Sequence, residues 1–338
     1  MIGRSPRGGS AALWSGLTLC AFALTGLVAS TPEQEPPRSS STHTPVRTAD
    51  QEPYCPPGSV PHAGTDLRVT DPGVPAAEGM EPTPEEAAEH DERLQGALLH
   101  LREEEIAPPW TIPVVFHVIS ARDGSGRVED ARIHEQVDVL NRAYRGDFAQ
   151  GSEGTDTGFR FELDEITHTV NDTWFHHFGD HRDTIRPRLR QGGPETLNVY
   201  VAALGPGLLG FSTFPQNYAH NPEQDGVAIS HEALPGGGLE RFDEGHTGTH
   251  EIGHWLGLFH TFQNGCQSPG DYVDDTPYER ESASGCPVGR NTCPQHPGLD
   301  PVTNFMNYSD DACMTHFTPG QAQRMAEHWV AFRDDPRV

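Results

Sequence analysis

Residues 250–260 read HEIGHWLGLFH and contain three histidines, one glutamate and two glycines. Residues four apart on an α-helix share a face, so His250 and His254 can direct both imidazoles at one point, and imidazole is a good zinc ligand. On an unbroken helix, His260 would lie about 600° of rotation and roughly 9 Å beyond His254, facing elsewhere. Gly257 can adopt the left-handed conformation that ends a helix. The glycine therefore predicts a turn that brings His260 back to the same point.

Three histidine ligands leave one coordination position for water, which is typical of catalytic zinc sites. Glu251 is turned by about 100° from the first ligand. Its carboxylate can reach a water on the metal and act as general base, so that the water attacks a carbonyl carbon that the metal polarises. The pattern predicts a zinc hydrolase.

Two other interpretations of the histidine motif compete with a catalytic site. The first is coincidence in a chain with 19 histidines, but a chance match to the full motif is expected on the order of once in a few thousand such chains. The second is a zinc-stabilised binding module without activity. Loss of Glu251 or of a ligand would favour the binding module, and neither is lost.

The sequence around the motif alternates strand-like and helix-like segments, which predicts a mixed α/β fold. Buried strands are predicted at 111–120, 159–166, 197–204 and 225–234, with a possible edge strand at Leu209–Phe214 and a helix at 130–145. Residues 261–316 are dense in Gly, Pro, Asp and Cys and show little periodicity. A last helix is predicted to begin near Thr318.

The first 106 residues differ in character from the rest of the chain. A basic start and an apolar run at 11–29 predict a signal peptide over 1–30, with a retained membrane anchor as the alternative. Residues 31–106 are predicted to be a partly disordered prosegment. Its one predicted helix covers about 84–104, where Thr83 and Glu86 form a capping box.

The charge balance restricts the partners of the chain. A formal net charge of −26 argues against nucleic acid and against anionic membrane surfaces. With the signal peptide removed, no stable membrane association is expected, and the chain is predicted to be secreted and extracellular.

Several motifs together resemble the pappalysin family of metzincin zinc endopeptidases. They are IPVVFHV, HEIGHWLGLFHTF, GDYVDDTP, NFMNYSDDAC and FTPGQAQRM, in the family order. The resemblance covers about 110–335. It implies a metzincin-type fold over 107–338, with a twisted, mostly parallel five-stranded sheet and an active-site helix in an upper subdomain (107–257). An irregular, disulfide-linked lower subdomain (258–338) would follow.

The resemblance also assigns roles to residues after the zinc motif. Met306 would form the apolar floor beneath the metal, and Tyr308 would stabilise the oxyanion. The alternatives are an ordinary core methionine and a packed tyrosine. Protein or peptide substrates would bind in extended form along the edge strand.

The late cysteines allow three pairings by sequence alone. The family pattern implies Cys266–Cys293 and Cys286–Cys313. Bridges there would stabilise a region with few apolar residues.

Two further predictions concern ligands. The family binds calcium in the part of the chain that contains Asp271, Asp274, Asp275 and Thr276, and oxygen ligands suit calcium. A solvated acidic loop is the alternative. Cys55 could place its thiolate on the zinc of the zymogen, as in related zymogens, or remain a free or intermolecular thiol. Activation would then follow cleavage near residues 102–110.

The preference for side chains after the cut is left open. Some pappalysins prefer basic residues there and use an acidic residue near the last cysteine. In this chain Ala312 directly precedes Cys313, with Asp310 and Asp311 before it. A basic preference therefore does not follow from the sequence.

Overall fold

Five strands form the mostly parallel sheet expected for the catalytic domain. The computed structural model describes residues 65–69, 81–99, 101, 106, 108–150 and 154–334, all within the unit Gly58–Val338. The strands are β2 Trp110–Ser120, β3 Phe159–Val170, β4 Leu197–Ala202, β5 Leu208–Thr213 and β6 Val227–Ser230. Their order is β5-β6-β4-β2-β3, and only β5 runs antiparallel to its neighbour.

A sixth strand, β1 (Thr65–Val69), extends this sheet. It pairs antiparallel with β5, with Thr65 opposite Thr213 and Leu67 opposite Phe211. The predicted edge strand around Leu209–Phe214 is thus β5, the last strand of the five-stranded sheet. The hydrogen-bonding edge of β5 is covered by a segment of the predicted prosegment.

Six α-helices accompany the sheet in the described part of the chain. They are α1 Pro84–Leu98, α2 Asp130–Arg145, α3 Asp172–His176, α4 Phe178–Leu189, α5 His246–Trp255 and α6 Pro319–Phe332, with 3-10 turns at Pro215–Asn217, Pro222–Gln224 and Asp311–Cys313. Helix α1 has the predicted capping box, in which Thr83 and Glu86 exchange hydrogen bonds of 3.2 and 2.8 Å. It ends at Leu98, earlier than the predicted 104. Among the described residues, no helix combines the length and apolar character needed to cross a membrane.

One large apolar core joins the sheet and its helices to the irregular region after α5. It contains residues of β2, β4, β6, α2 and α5 together with Phe305, Met306 and Phe317 from the irregular part of the chain and Trp329 from α6. His117 in β2 is buried and contacts Thr167 at 2.8 Å and Asn198 at 3.0 Å. It is therefore the hydrogen-bonded core histidine that its position in an apolar strand predicts.

The irregular region after α5 is cross-linked as expected. Cys266 is bonded to Cys293, and Cys286 to Cys313, which confirms the predicted pairing. Disulfides stabilise a folded chain chiefly by restricting the unfolded one. They compensate for a segment that has little regular secondary structure of its own.

A buried ion pair connects α5, the loop before β6 and the end of α6. The Arg333 guanidinium donates to both carboxylate oxygens of Asp225, at 3.2 and 3.1 Å, and lies 3.5 Å from the Trp255 ring centroid. Trp255 Nε1 donates to the same carboxylate at 3.1 Å. The C-terminal end of α5 is thus fixed to the sheet and to α6.

Candidate zinc site

The end of helix α5 determines where the third histidine lies. Leu258 N donates to Gly253 O at 3.0 Å and Gly257 N donates to His254 O at 2.8 Å. With Gly257 at φ +98°, these two bonds form the Schellman motif that ends helices at a left-handed residue. The chain turns, and His260 returns to the imidazoles of α5 as the sequence predicted.

The three imidazoles converge through their Nε2 atoms. His250 Nε2 lies 3.0 Å from His254 Nε2 and 3.1 Å from His260 Nε2. Tetrahedral zinc with bonds of roughly 2.0–2.1 Å separates its nitrogen ligands by about 3.3 Å, so the spacing is close to that of a zinc site. Among the described residues, this is the one group of three or more His, Cys, Asp or Glu with ligand atoms within 4.8 Å.

Hydrogen bonds to the backbone define the protonation of two of these rings. His250 Nδ1–H donates to Phe305 O and His254 Nδ1–H donates to Leu258 O, each at 2.7 Å. A neutral imidazole that carries its proton on Nδ1 has a lone pair on Nε2. Nε2 lone pairs this close repel one another unless a cation lies between them. The donor set therefore fits a zinc ion, and the carbonyls orient the ligands.

Burial keeps the imidazoles of His254 and His260 neutral. It lowers the pKa of His254 to about 3, an effect only partly opposed by the hydrogen bond to Leu258. Burial also lowers the pKa of His260 well below its ordinary value, and the neighbouring histidines lower it further. Metal ligation requires neutral imidazole, so neither ring must lose a proton to bind zinc near neutral pH.

Glu251 is buried beside strand β5. A Cβ atom at Gly210 would lie 2.7 Å from Glu251 Cγ and 2.8 Å from Oε1. No side chain fits there without displacing the carboxylate. Glycine in a strand is otherwise unfavourable and often marks such a close approach, which is the signal that the sequence analysis passed over.

Met306 and Tyr308 both lie at the histidine cluster. Met306 is buried, and a Cβ at Gly253, between the two helical ligands, would lie 2.4 Å from its Sδ. The Tyr308 ring centroid lies 4.7 Å from that of His260 and 5.8 Å from that of His250. The turn at 304–308 thus packs against α5 from the side where a methionine turn is expected.

A residue of the predicted prosegment reaches the same place. The Tyr308 hydroxyl donates to Glu81 Oε1 at 3.0 Å. Burial raises the pKa of Glu81, and the hydrogen bond from Tyr308 lowers it in part. Sequence reasoning did not single out Glu81, because an acidic residue next to proline in a polar segment gives no local sign of a partner 227 residues away.

The polar residues at 271–276, predicted as calcium ligands, lie in two different environments. Asp271, Asp274 and Thr276 line a cavity of about 60 Å³ together with Thr261. Asp275 instead accepts from Thr318 Oγ1 at 2.6 Å and from Gly320 N at 2.8 Å, at the N-terminus of α6. Of the four predicted calcium ligands, three share a cavity and Asp275 serves the helix.

This fold and site define a zinc metalloendopeptidase. A family model described as "Pregnancy-associated plasma protein-A", of peptidase family M43, matches residues 197–330. An "Extracellular metalloprotease" of Verticillium alfalfae is 42% identical over 230 residues, covering 67% of this chain and 79% of the relative. "Extracellular metalloprotease 1" of Coccidioides posadasii is 40% identical over 265 residues, 75% of this chain and 89% of the relative. The chain belongs to the pappalysin family of metzincin proteases.

Solved structures agree with this assignment. A promirolysin mutant of Tannerella forsythia superposes with a TM-score of 0.63 at 27% identity, covering 73% of this chain and 87% of that chain. A structure of mirolysin in complex with a compound gives a TM-score of 0.58 at 31% identity over 65% of this chain and 91% of that chain. The family resemblance and the fold class expected from the sequence are confirmed.

The close approach of β5 to Glu251 supports a prediction about the predicted general base. Gly210→Ala should displace the Glu251 carboxylate and lower kcat about 100-fold, because small misplacements of a catalytic group have effects of that order. KM and zinc content should change little. Steady-state kinetics and metal analysis test this. Gly179→Ala is the matched control, because nothing lies within 4 Å of a Cβ there. An unchanged kcat in Gly210→Ala would contradict the prediction.

Proposed function

We propose that the chain is a secreted zinc endopeptidase that is made as a latent zymogen, with Glu251 as general base. The observation that carries the proposal is the buried histidine cluster, in which the Nε2 atoms of His254 and His260 lie within 3.1 Å of His250 Nε2. The next residue after His250, Glu251, is buried as well. Relatives named extracellular, the predicted signal peptide and two disulfides support secretion.

The residues divide the reaction between them. Zinc held by His250, His254 and His260 would lower the pKa of water and polarise the scissile carbonyl. The Glu251 carboxylate takes a proton from the attacking water and returns it to the leaving amine. The Tyr308 hydroxyl donates a hydrogen bond to the oxygen that becomes negative as the carbonyl carbon turns tetrahedral.

Chelation tests the proposal most directly. Incubation of the processed protein with a zinc chelator should abolish cleavage of a mixed peptide library, and added zinc should restore it. Cleavage that survives removal of all zinc would exclude this mechanism. The library also reports the side-chain preference around the cut.

The acidic residues near the last cysteine do not indicate a preference for basic substrate side chains after the cut. Asp310 forms an ion pair with Arg241 at 2.6 Å. Asp311 is buried, and its Oδ2 accepts from Glu244 N and His246 N at 3.0 and 3.2 Å, where α5 begins. Both carboxylates already have partners within the protein. We propose extended peptide substrates without a strong preference for arginine or lysine after the cut.

The described part of the predicted prosegment supports latency. Strand β1 covers the edge of β5 along which an extended substrate would pair. Cys55 and the cleavage region at 102–105 lie outside the described residues, so the thiolate switch stays a prediction. Comparing the activity of the intact chain with that of a chain cleaved within 102–110 tests the zymogen proposal.

The cavity beside Asp271 supports a calcium ion. Burial raises the pKa of the Asp271 carboxyl well above its ordinary value, so a carboxylate there needs a compensating cation to remain charged. Asp274 and the Thr276 hydroxyl line the same cavity, and oxygen ligands of this kind suit calcium. We therefore propose Asp271, Asp274 and Thr276, with neighbouring oxygens and water, as the ligand set.

Calcium removal is expected to destabilise the wild-type protein. At a calcium concentration 100 times Kd, the lost stabilisation is about 2.7 kcal/mol. Asp271→Asn should remove most of the calcium dependence of Tm, whereas Asp275→Asn should leave it intact while weakening the start of α6. Thermal unfolding with a calcium-selective chelator measures both. A calcium dependence that survives in Asp271→Asn would place the ion elsewhere.

A further inference from the structure

Glu81 and helix α1 are held against the active-site side of the catalytic domain. The Glu81 carboxylate accepts the hydroxyl of Tyr308 at 3.0 Å. That ring is 4.7 Å from the ring of His260. A side chain of the predicted prosegment therefore contacts the group on which oxyanion stabilisation depends.

Aromatic contacts hold the helix in place. Ala87 is fully buried in a cluster with Phe214 and Phe259. The His90 ring packs edge-on against Phe214 at 5.0 Å and stacks on Phe259 at 6.1 Å between centroids. Phe214 follows directly after β5, and its ring is 5.8 Å from that of His254. The docking surface of α1 is thus continuous with the zinc site.

Polar contacts fix both the start and the middle of this segment. Gln263 Nε2 donates to Pro82 O at 3.1 Å, one residue after Glu81. The Asp91 carboxylate pairs with Arg324 at 2.8 Å, and Arg324 is almost fully buried. Removing one partner of a buried charge pair leaves the other charge uncompensated and costs more than breaking an exposed pair. These contacts fix the position of Glu81 relative to the zinc site.

We propose that residues 81–98 form an inhibitory module that the catalytic domain binds as a unit, with the Glu81 carboxylate engaging Tyr308. This inference rests on the proposed function and specifies the regulation of its site. Latency then depends on a carboxylate and a docked helix, and does not require Cys55. The surface made by Phe214, Phe259, Gln263 and Arg324 is the receptor for an acidic helical peptide.

Cleavage alone does not release such a module. A cut within 102–110 breaks the covalent link, but residues 81–98 stay in contact with the catalytic domain. After the cut, their binding to the domain is a bimolecular equilibrium. An attached segment acts at an effective concentration of the order of millimolar, which dilution cannot reduce. The cut protein should therefore gain activity on dilution, and a synthetic peptide of residues 79–99 should inhibit the diluted enzyme.

Variants of the full chain test the proposal. The rate of peptide cleavage is measured on intact protein, with mass spectrometry showing that it remains uncleaved. Glu81→Ala should raise this rate at least tenfold over wild type. Glu85→Ala, which removes an exposed glutamate from the first turn of α1, should leave it unchanged.

Weakening the contact between α1 and the catalytic domain should also raise the activity of the intact chain. Asp91→Asn removes the ion pair with Arg324 and should raise the rate of the intact chain severalfold. Glu92→Gln is its control, because Glu92 is exposed. A peptide of residues 79–99 with alanine in place of Glu81 should inhibit the cut enzyme at least tenfold more weakly than the natural peptide.

The outcomes separate this inference from the proposed function. If the cut wild-type chain hydrolyses peptides while intact Glu81→Ala is no faster than Glu85→Ala, the module is not what maintains latency. If only Cys55→Ala activates the intact chain, the thiolate switch replaces it. If the cut chain hydrolyses nothing with zinc bound, the endopeptidase function fails, and the inference fails with it.

Discussion

Glu251→Ala is expected to lower kcat by about 10³-fold while zinc remains bound. Positioned general bases contribute typically 10²–10⁴-fold, and the three zinc ligands do not include this carboxylate. The side chain is fully buried, so bulk water or buffer cannot easily replace it. Steady-state cleavage of a fluorogenic peptide and zinc content per chain measure the two effects separately.

The control for this variant is Glu244→Ala. Glu244 is an exposed glutamate just before α5, so its removal changes the net charge equally without touching the buried cluster. It should keep activity within about twofold, as is usual for surface changes. If Glu251→Ala lost its zinc, the carboxylate would contribute to metal binding. If it kept its activity, another group would have to be the base.

Local sequence patterns were enough to predict the zinc site. A spacing of four places two histidines on one helical face, and a single glycine explains how His260 joins them. The Schellman bonds of Gly257 and Leu258 show the predicted turn in detail. The disulfide pairing needed more than local pattern, because four cysteines allow three arrangements. The family resemblance selected the one that the structure contains.

Contacts between distant segments could not be predicted in this way. Strand β1 pairs with β5 through backbone groups, which every residue carries, so composition gives no sign of the partner. The contact of Glu81 with Tyr308 depends on where α1 docks. Asp275 and Asp271 lie in the same acidic segment, so the sequence does not distinguish them. In the fold, the N-terminus of α6 lies beside Asp275, whose carboxylate accepts a hydrogen bond from Gly320 N.

Gly210 is a residue whose local pattern indicates a contact without identifying the partner. A glycine within a strand indicates that something approaches closely, but only the fold identifies the approaching group as Glu251. Burial of the catalytic carboxylate thus depends on a missing side chain in a neighbouring strand. The position of Glu251 therefore depends on the glycine in β5, although 41 residues separate Gly210 from Glu251.

Gly257→Ala is expected to destabilise the protein and to impair zinc binding together. An alanine there must adopt φ +98°, and its Cβ would lie 2.3 Å from the His328 ring. The left-handed conformation costs roughly 1–2 kcal/mol, and overpacking in a core costs typically 1–3 kcal/mol more. A loss of about 3 kcal/mol corresponds to a fall in Tm of about 6–12 °C for a domain of this size.

The same substitution acts on function because Gly257 directs the chain from His254 to His260. Relief of the clash would move the turn, and His260 with it, so zinc content should fall along with kcat. Gly236→Ala is the matched control, since Gly236 has φ +64° with nothing within 4 Å of a Cβ. It should show only the backbone cost and keep its zinc. If Gly257→Ala lost stability but kept full zinc occupancy and activity, the turn would not be what places the third ligand.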